Sequence, residues 1–235
     1  MRSVVDNRGY NQGWYENKAT IVRANRRTHD MIAEMDINPD SKILEIGCGL
    51  GSMSYYMACE TGMQVTGTDI CVPFIDKARE TYHLPNLNYE VLDFNNTASF
   101  EGQHYNYIIG NGILHHLYYN LDIALVNLRK LLADDGKIIF YEPNIYNPYC
   151  AVIFQIPFFR KWAKLEPAEK AFSRPFIIMK LRNAGFHDIH VKFKDFLLPG
   201  IPKALIKPSI IIGDVLEKIP LVDMVAQSLF IVAGK

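Results

Sequence analysis

The chain has 235 residues, 25 basic and 25 acidic side chains and no net charge. That length buries a full core and most simply makes one domain, and the charge balance argues against a protein that wraps nucleic acid, which would show a basic excess. The four cysteines, Cys48, Cys59, Cys71 and Cys150, form no C-x-x-C pair. Neither a zinc ribbon nor a disulfide framework is expected, and a reducing, cytoplasmic setting is the natural reading. The first residues carry Asp6, Asn7 and Asn11 in place of the apolar stretch of a signal peptide. The longest apolar run, residues 151–159, is interrupted by Gln155 and Pro157 and falls far short of a membrane span. There is no internal repeat or low-complexity tract.

Residues 1–16 read as a polar and aromatic arm with Trp14 and Tyr15 side by side. Residues 17–36 read as a helix with Ile21, Ala24, Thr28, Ile32 and Met35 near one face, which puts Arg23, Arg26 and Arg27 on the solvated side. Asn38-Pro39-Asp40 ends it. Next comes ILEIGCGLG, residues 43–51, an apolar strand running into a glycine-rich turn. Bare backbone at Gly47, Gly49 and Gly51 turns sharply and lets a ligand lie directly against it. Met53, Tyr56, Met57 and Glu60 then follow at helical spacing. Strand, glycine turn and helix together open a nucleotide-binding α/β domain, with free helix N–H groups pointing at the turn.

The dinucleotide fingerprint G-x-G-x-x-G is spaced differently from this run. Taken with Glu45, the run reads E-x-G-x-G-x-G and resembles motif I of the class I S-adenosylmethionine-dependent methyltransferases of small-molecule type. The resemblance extends, more weakly, over about the first 142 residues. It implies a Rossmann-like α/β fold, a seven-stranded mixed sheet with helices on both faces, and S-adenosylmethionine as cofactor. It implies that Glu45, Gly47, Cys48, Gly49 and Gly51 hold that cofactor, and that Tyr15 of the preceding arm contacts its methionine end.

Gln64–Ile70 reads as the second strand and closes on Asp69, with Ile70 beside it. An acid there accepts from both ribose hydroxyls in NAD and S-adenosylmethionine folds alike; the other reading is a helix cap ahead of Pro73. A helix over about residues 73–82 leads to a third strand, Leu87–Leu92, and to Asp93-Phe94. In the resembling family an acid at this point takes the adenine amino group. Asp93 is therefore an adenine ligand or an exposed turn residue, and Phe94 an adenine platform or core. The fourth strand, Tyr105–Gly110, runs into Asn111-Gly112-Ile113-Leu114-His115-His116-Leu117, which resembles the segment after strand four of small-molecule methyltransferases. Ligands lie at the carboxyl ends of such strands, so residues 111–116 line the cofactor and face the substrate, with Asn111 a cofactor contact. His115 or His116 is a general base, or packs at a helix start. The absence of an N-P-P-Y run takes support from methylation of adenine or glutamine amino groups. Adjacent residues point apart on a helix, so no metal site is expected at this histidine pair.

An amphipathic helix over 121–132, a turn at Asp134-Asp135-Gly136 and a fifth strand, Lys137–Tyr141, lead to Glu142, which orients a substrate hydroxyl or merely ends the strand. Residues 145–184 crowd Tyr146, Tyr149, Phe154, Phe158, Phe159 and Trp162 among Arg160, Lys161 and Lys164. They read as a lid over an apolar substrate, a dimer surface or extra core, and a basic-aromatic segment also suits a membrane face. Gly185 stops a helix over Phe176–Ala184. His187–Phe193 and Ser228–Ala233 are the last strands, separated by an apolar helical insertion carrying prolines at 199, 202, 208 and 220. The expected layout is one domain: arm and helix over 1–36, cofactor core over 37–144, lid and final strands over 145–235. The expected activity is methyl transfer from S-adenosylmethionine to a small or lipid-like acceptor, an oxygen nucleophile by preference. The alternatives are an NAD-dependent oxidoreductase and a catalytically silent cofactor-fold binding protein; nucleic-acid methylation is disfavoured by the neutral charge.

Overall fold

The computed structural model describes residues 17–93, 100 and 102–235. Seven strands make one sheet: β1 (Lys42–Ile46), β2 (Gln64–Asp69), β3 (Leu87–Val91), β4 (Tyr105–Asn111), β5 (Leu132–Pro143), β6 (His187–Lys194) and β7 (Ser228–Gly234). Their order is β3-β2-β1-β4-β5-β7-β6. Strands β1 to β5 are parallel, and β7 runs antiparallel between β5 and β6. The direction of winding reverses between β1 and β4, and such a switch point leaves a crevice at the carboxyl ends of the strands where ligands bind.

The helices are α1 (Lys18–Ile32), α2 (Ser52–Thr61), α3 (Val72–Thr81), α4 (Leu121–Leu131), α5 (Pro148–Gln155), α6 (Pro157–Trp162), α7 (Arg174–Asn183) and α8 (Lys203–Leu216). They cover both faces of the sheet, which is why the central strands are apolar throughout. Leu44, Ile108, Ile138 and Phe140 pack on one face with Leu125 of α4 and Leu181 of α7. Ile43, Ile109, Ile139 and Tyr141 pack on the other with Met31 of α1 and Met57 of α2. The expected fold class is therefore the observed one, with α5 and α6 inserted after β5 and α8 between β6 and β7. Among the described residues no helix is long and apolar enough to cross a membrane.

Three local expectations change. Helix α1 stops at Ile32, four residues early. The Asp134-Asp135-Gly136 turn is a bulge inside β5, which already pairs at Leu132 and resumes at Lys137. The third change bears on the site. Ala19, Arg27 and Met31 form the buried stripe of α1, while Ile21 is 41% exposed. Arg23 belongs to that stripe at i, i+4 spacing. Arg23 and Arg27 are not on a solvated side: both reach Asp195, just past β6, at 2.5 and 2.7 Å. Arg26 pairs with Asp214 of α8. An acid from a distant segment turned the helix by offering two guanidinium groups a buried partner.

Candidate functional site

After β1 the chain turns back through Gly47–Gly51 into α2. Gly47, Gly49 and Gly51 adopt φ of +67°, +54° and +81°. A side chain at Gly51 would stand 2.6 Å from the Tyr89 ring, whose hydroxyl donates to the Gly51 carbonyl. Gly49 differs, because a Cβ there would meet nothing within 4 Å. Its backbone faces open space, as close approach of a ligand requires. The Gly49 N–H donates to Asp69 Oδ2 at 3.0 Å and the Cys71 N–H to Asp69 Oδ1 at 2.8 Å. Asp69 thus ties the glycine turn to the start of α3, so it braces this entry as well as standing at the crevice.

A cavity of about 410 Å³ opens there, walled by Gly49, Asp69, Ile70, Asp93, Asn111 and His116. Phe74 and Leu92 add apolar wall. Two carboxylates for hydroxyl or amino donors, apolar sides for a base, and bare glycine backbone fit a nucleoside. Cys48 and Glu45 face a neighbouring cavity that shares Gly47, Gly49 and Asn111 with the first. Burial pushes the Cys48 thiol well up, so it is a packing group rather than a nucleophile. Tyr15 and Phe94 lie outside the described residues.

Glu45 is buried beneath the turn and accepts from the Ser54 hydroxyl. Burial pushes its carboxyl up to about 7; the Ser54 hydrogen bond opposes this and the Asp69 charge adds to it. A raised folded value means the protonated form is favoured on folding. That contribution is full below the unfolded value of 4.5 and is lost as pH rises through about 7. Glu45→Gln keeps an acceptor for Ser54 and removes the buried charge. It is expected to stabilise the chain near pH 8 by up to about 3 kcal/mol, and by little near pH 5. Thermal melts of both proteins across that range check this; parallel curves would show that Glu45 ionises in the folded chain as it does in the unfolded one.

His115 and His116 sit in the 3₁₀ turns Leu114–Asn120 that follow β4. Their rings do not point apart as helical neighbours would: the centroids are 4.3 Å apart and both face Glu169. The tighter 3₁₀ winding brings them together. His115 is buried, and its Nδ1 lies 2.9 Å from Glu142 Oε2. Glu142 also accepts the backbone N–H groups of Ile113, Leu114 and His115 at 3.0, 2.7 and 3.1 Å. Glu142 is therefore no simple strand end: it fixes both the turn and the His115 ring. A carboxylate opposite Nδ1 selects the tautomer of the neutral ring in which Nδ1 carries the proton and Nε2 the lone pair. Nε2 is turned toward Glu169 Oε2, 3.8 Å away. Burial raises the Glu169 carboxyl while His115 lowers it. His116 lines the cavity, and burial, with His115 beside it, holds its pKa well below the usual value, so it is neutral. His115, His116 and Glu169 bring three ligand-type atoms within 4.8 Å of one another.

A second cavity of about 370 Å³ meets the first at Asn111 and Gly112. Arg23, Arg27 and Ser228 line one side of it and Tyr149, Phe154 and Leu165 the other. Arg27 Nη1 donates to Asn111 Oδ1 at 2.6 Å, and its guanidinium lies over the Tyr141 ring. Asn111 thus stands between the two cavities, held by a buried arginine. Sequence reading missed Glu169, Arg27 and Asp195. Arg27 was findable, since it is spaced i, i+8 from Ala19 and i, i+4 before Met31, both buried. Nothing local marks Asp195 or Glu169, whose roles come from contacts across the fold.

Residues 44–138 match the family model described as a methyltransferase domain. The chain therefore carries a class I methyltransferase domain, and its cofactor is S-adenosylmethionine. The hybrid PKS-NRPS synthetase thnA of Trichoderma harzianum is 35% identical over 118 residues, which cover 47% of this chain and 3% of that protein. This chain spans between 3% and 8% of the length of thnA and the polyketide synthases it matches. A SAM-dependent methyltransferase from Archaeoglobus fulgidus superposes with a TM-score of 0.64 at 18% identity, covering 93% of this chain and 95% of that one. The CurJ carbon methyltransferase superposes with a TM-score of 0.59 at 22% identity, covering 88% and 53%. At such identities the structural likeness establishes the fold.

Proposed function

We propose that this protein moves a methyl group to a small, apolar or lipid-like acceptor whose nucleophile gives up a proton, and that His115 takes that proton. The observation that carries this reading is the buried His115–Glu142 pair, with Nδ1 2.9 Å from the carboxylate. A carboxylate behind an imidazole fixes its tautomer and stabilises the imidazolium formed on proton transfer. Bound S-adenosylmethionine supplies a methyl on a positively charged sulfur. The chain holds it with Gly47, Gly49, Asp69 and Asp93, aligns the acceptor through the second cavity and keeps water out. His116 stays neutral at the cavity wall and lets no second positive charge oppose the sulfonium.

A hydroxyl is the first reading for the acceptor, because an oxygen nucleophile sharpens when its proton leaves. A carbon acid beside a carbonyl is the second, supported by the likeness to a carbon methyltransferase and to polyketide synthases. Both acceptors use the same base. Incubation with ¹³C-methyl-labelled cofactor and two acceptor panels, alkyl or aryl hydroxyls and β-ketoacyl thioesters, tells them apart by a methoxy or a C-methyl signal. Rates are expected to be the same before and after a chelator. Loss with the chelator and recovery with a divalent ion would instead give His115, His116 and Glu169 to a cation and end their reading as proton carriers. Tight S-adenosylhomocysteine binding with no transfer to either panel would leave a silent binding protein.

A further inference from the structure

Two stretches of the sequence hold no acidic residue: the one between Glu142 and Glu166, and the one between Asp195 and Asp214. They are far apart in the chain, yet both reach the mouth of the second cavity. Tyr149, Phe154, Ala163 and Leu165 rim it from the first stretch and Pro199 from the second. Each stretch leaves large apolar side chains in solvent. Phe158 and Trp162 on α6 are 72% and 69% exposed. Ile211 and Ile212 on α8 are 67% and 58% exposed. The cations among them, Lys161, Lys164, Lys203 and Lys207, are exposed too. The next acids after that stretch are already engaged: Asp214 pairs with Arg26 at the surface, and Glu217 accepts the Asp195 N–H at 2.7 Å.

We propose that α5 and α6, together with α8, form a docking surface for an anionic lipid bilayer. Aromatic and aliphatic side chains interleaved with lysines over two acid-free stretches, with the next acid, Asp214, already paired to Arg26, are the chemistry of a helix lying in a headgroup layer. A second copy of the chain fits less well. A self-complementary contact would bring these lysines against one another, and the two acid-free stretches offer them no carboxylate. At 14 residues, with Pro208 inside, α8 lies on a bilayer and does not cross it. Docking would set the mouth of the second cavity at the lipid surface. That consequence rests on the acceptor reading above; the surface itself does not.

The test is flotation of the full chain with vesicles of phosphatidylcholine alone or of phosphatidylcholine mixed with phosphatidylglycerol. The protein is expected to float with the mixed vesicles, weakly with the neutral ones, and less as salt rises. Lys203→Glu with Lys207→Glu is expected to lower partitioning by roughly tenfold or more. Trp162→Glu with Ile211→Glu is expected to abolish it. Both pairs should leave the melting temperature and S-adenosylhomocysteine affinity unchanged. Failure of the wild-type chain to float with mixed vesicles overturns the proposal, as does equal flotation with neutral ones. A concentration-dependent dimer in sedimentation, lost in Trp162→Glu with Ile211→Glu, would give the face to a second copy. Flotation involves no methyl transfer. A floating but inactive chain therefore counts against the activity alone, and an active chain that never floats counts against the surface alone.

Discussion

Replacing His115 with glutamine is expected to lower kcat by about 10²- to 10⁴-fold, the usual range for a lost general base, while S-adenosylhomocysteine affinity stays within a few-fold. The split follows from the geometry. His115 is buried behind the cavity wall, against Glu142 on one side and Glu169 on the other. The contacts proposed for the cofactor come from the glycine turn, Asp69 and Asp93, which line a cavity that His115 does not line. Glutamine is close in size and retains a donor for Glu142, so the turn that Glu142 holds through three backbone N–H groups should survive. Glu142→Gln is the less clean experiment, because it sets an amide N–H against those same donors and disturbs the turn as well as the ring. His116→Gln is the informative control. It lies on the cavity wall next to His115, and its Nδ1 stands 3.4 Å from Glu169 Oε1, while Glu142 is committed to the other ring. Its loss should cost far less in kcat. Steady-state rates on an active acceptor with calorimetry on each variant decide the point. Equal losses at the two positions would mean that the wrong ring has been chosen; a His115 variant of full activity would remove the base altogether.

The parts of this protein that were legible in its sequence are those built from neighbours in the chain. Residues 43–51 declared a strand and a tight turn because three glycines at alternate positions mark backbone that other residues rarely adopt. Asp69, at the end of the next strand, followed from the fold those glycines implied, and Glu142 came out at the correct edge. What could not be read was pairing across the chain. Periodicity assigns a helix face by asking which side is apolar, and in α1 the buried stripe carries two arginines whose partner is more than 160 residues away. The histidine pair failed for a related reason. An α-helical projection separates adjacent side chains, but the segment winds as 3₁₀ turns and gathers both rings on Glu169. In both cases a local rule was overridden by a buried carboxylate supplied from elsewhere.

That override carries its own expected result. Asp195→Asn should destabilise the chain by about 3–5 kcal/mol near neutral pH, the range for breaking a buried ion pair from one side. Asp195 adopts φ of +73°, and its Oδ1 accepts the Leu197 N–H at 3.0 Å. Asparagine tolerates that backbone and can keep that bond, so the substitution isolates the charge. What is left behind is Arg23 and Arg27, both largely out of water, with no carboxylate between them. Burial alone would raise the Asp195 carboxyl, but the two guanidinium groups outweigh it and hold it down to about 2. A lowered folded value means its contribution is full above the ordinary 3.8 and is lost as pH falls through about 2. The gap between wild type and variant should therefore narrow by about 2 kcal/mol over that acid range. Denaturant unfolding at several pH values measures this. A second change separates charge from packing: Arg23→Met in the Asp195→Asn background should recover part of the loss, with a coupling of about 1–3 kcal/mol in a double-mutant cycle. No coupling would mean that Asp195 acts through Arg27 or the backbone turn and not through Arg23. The same variant reaches the site, because Arg27 also holds Asn111 between the two cavities. Without Asp195, Arg27 is held only by Ser228, Asn111 and the Tyr141 ring, and on the proposed roles of Asn111 and His115 KM for the acceptor should rise more than kcat falls.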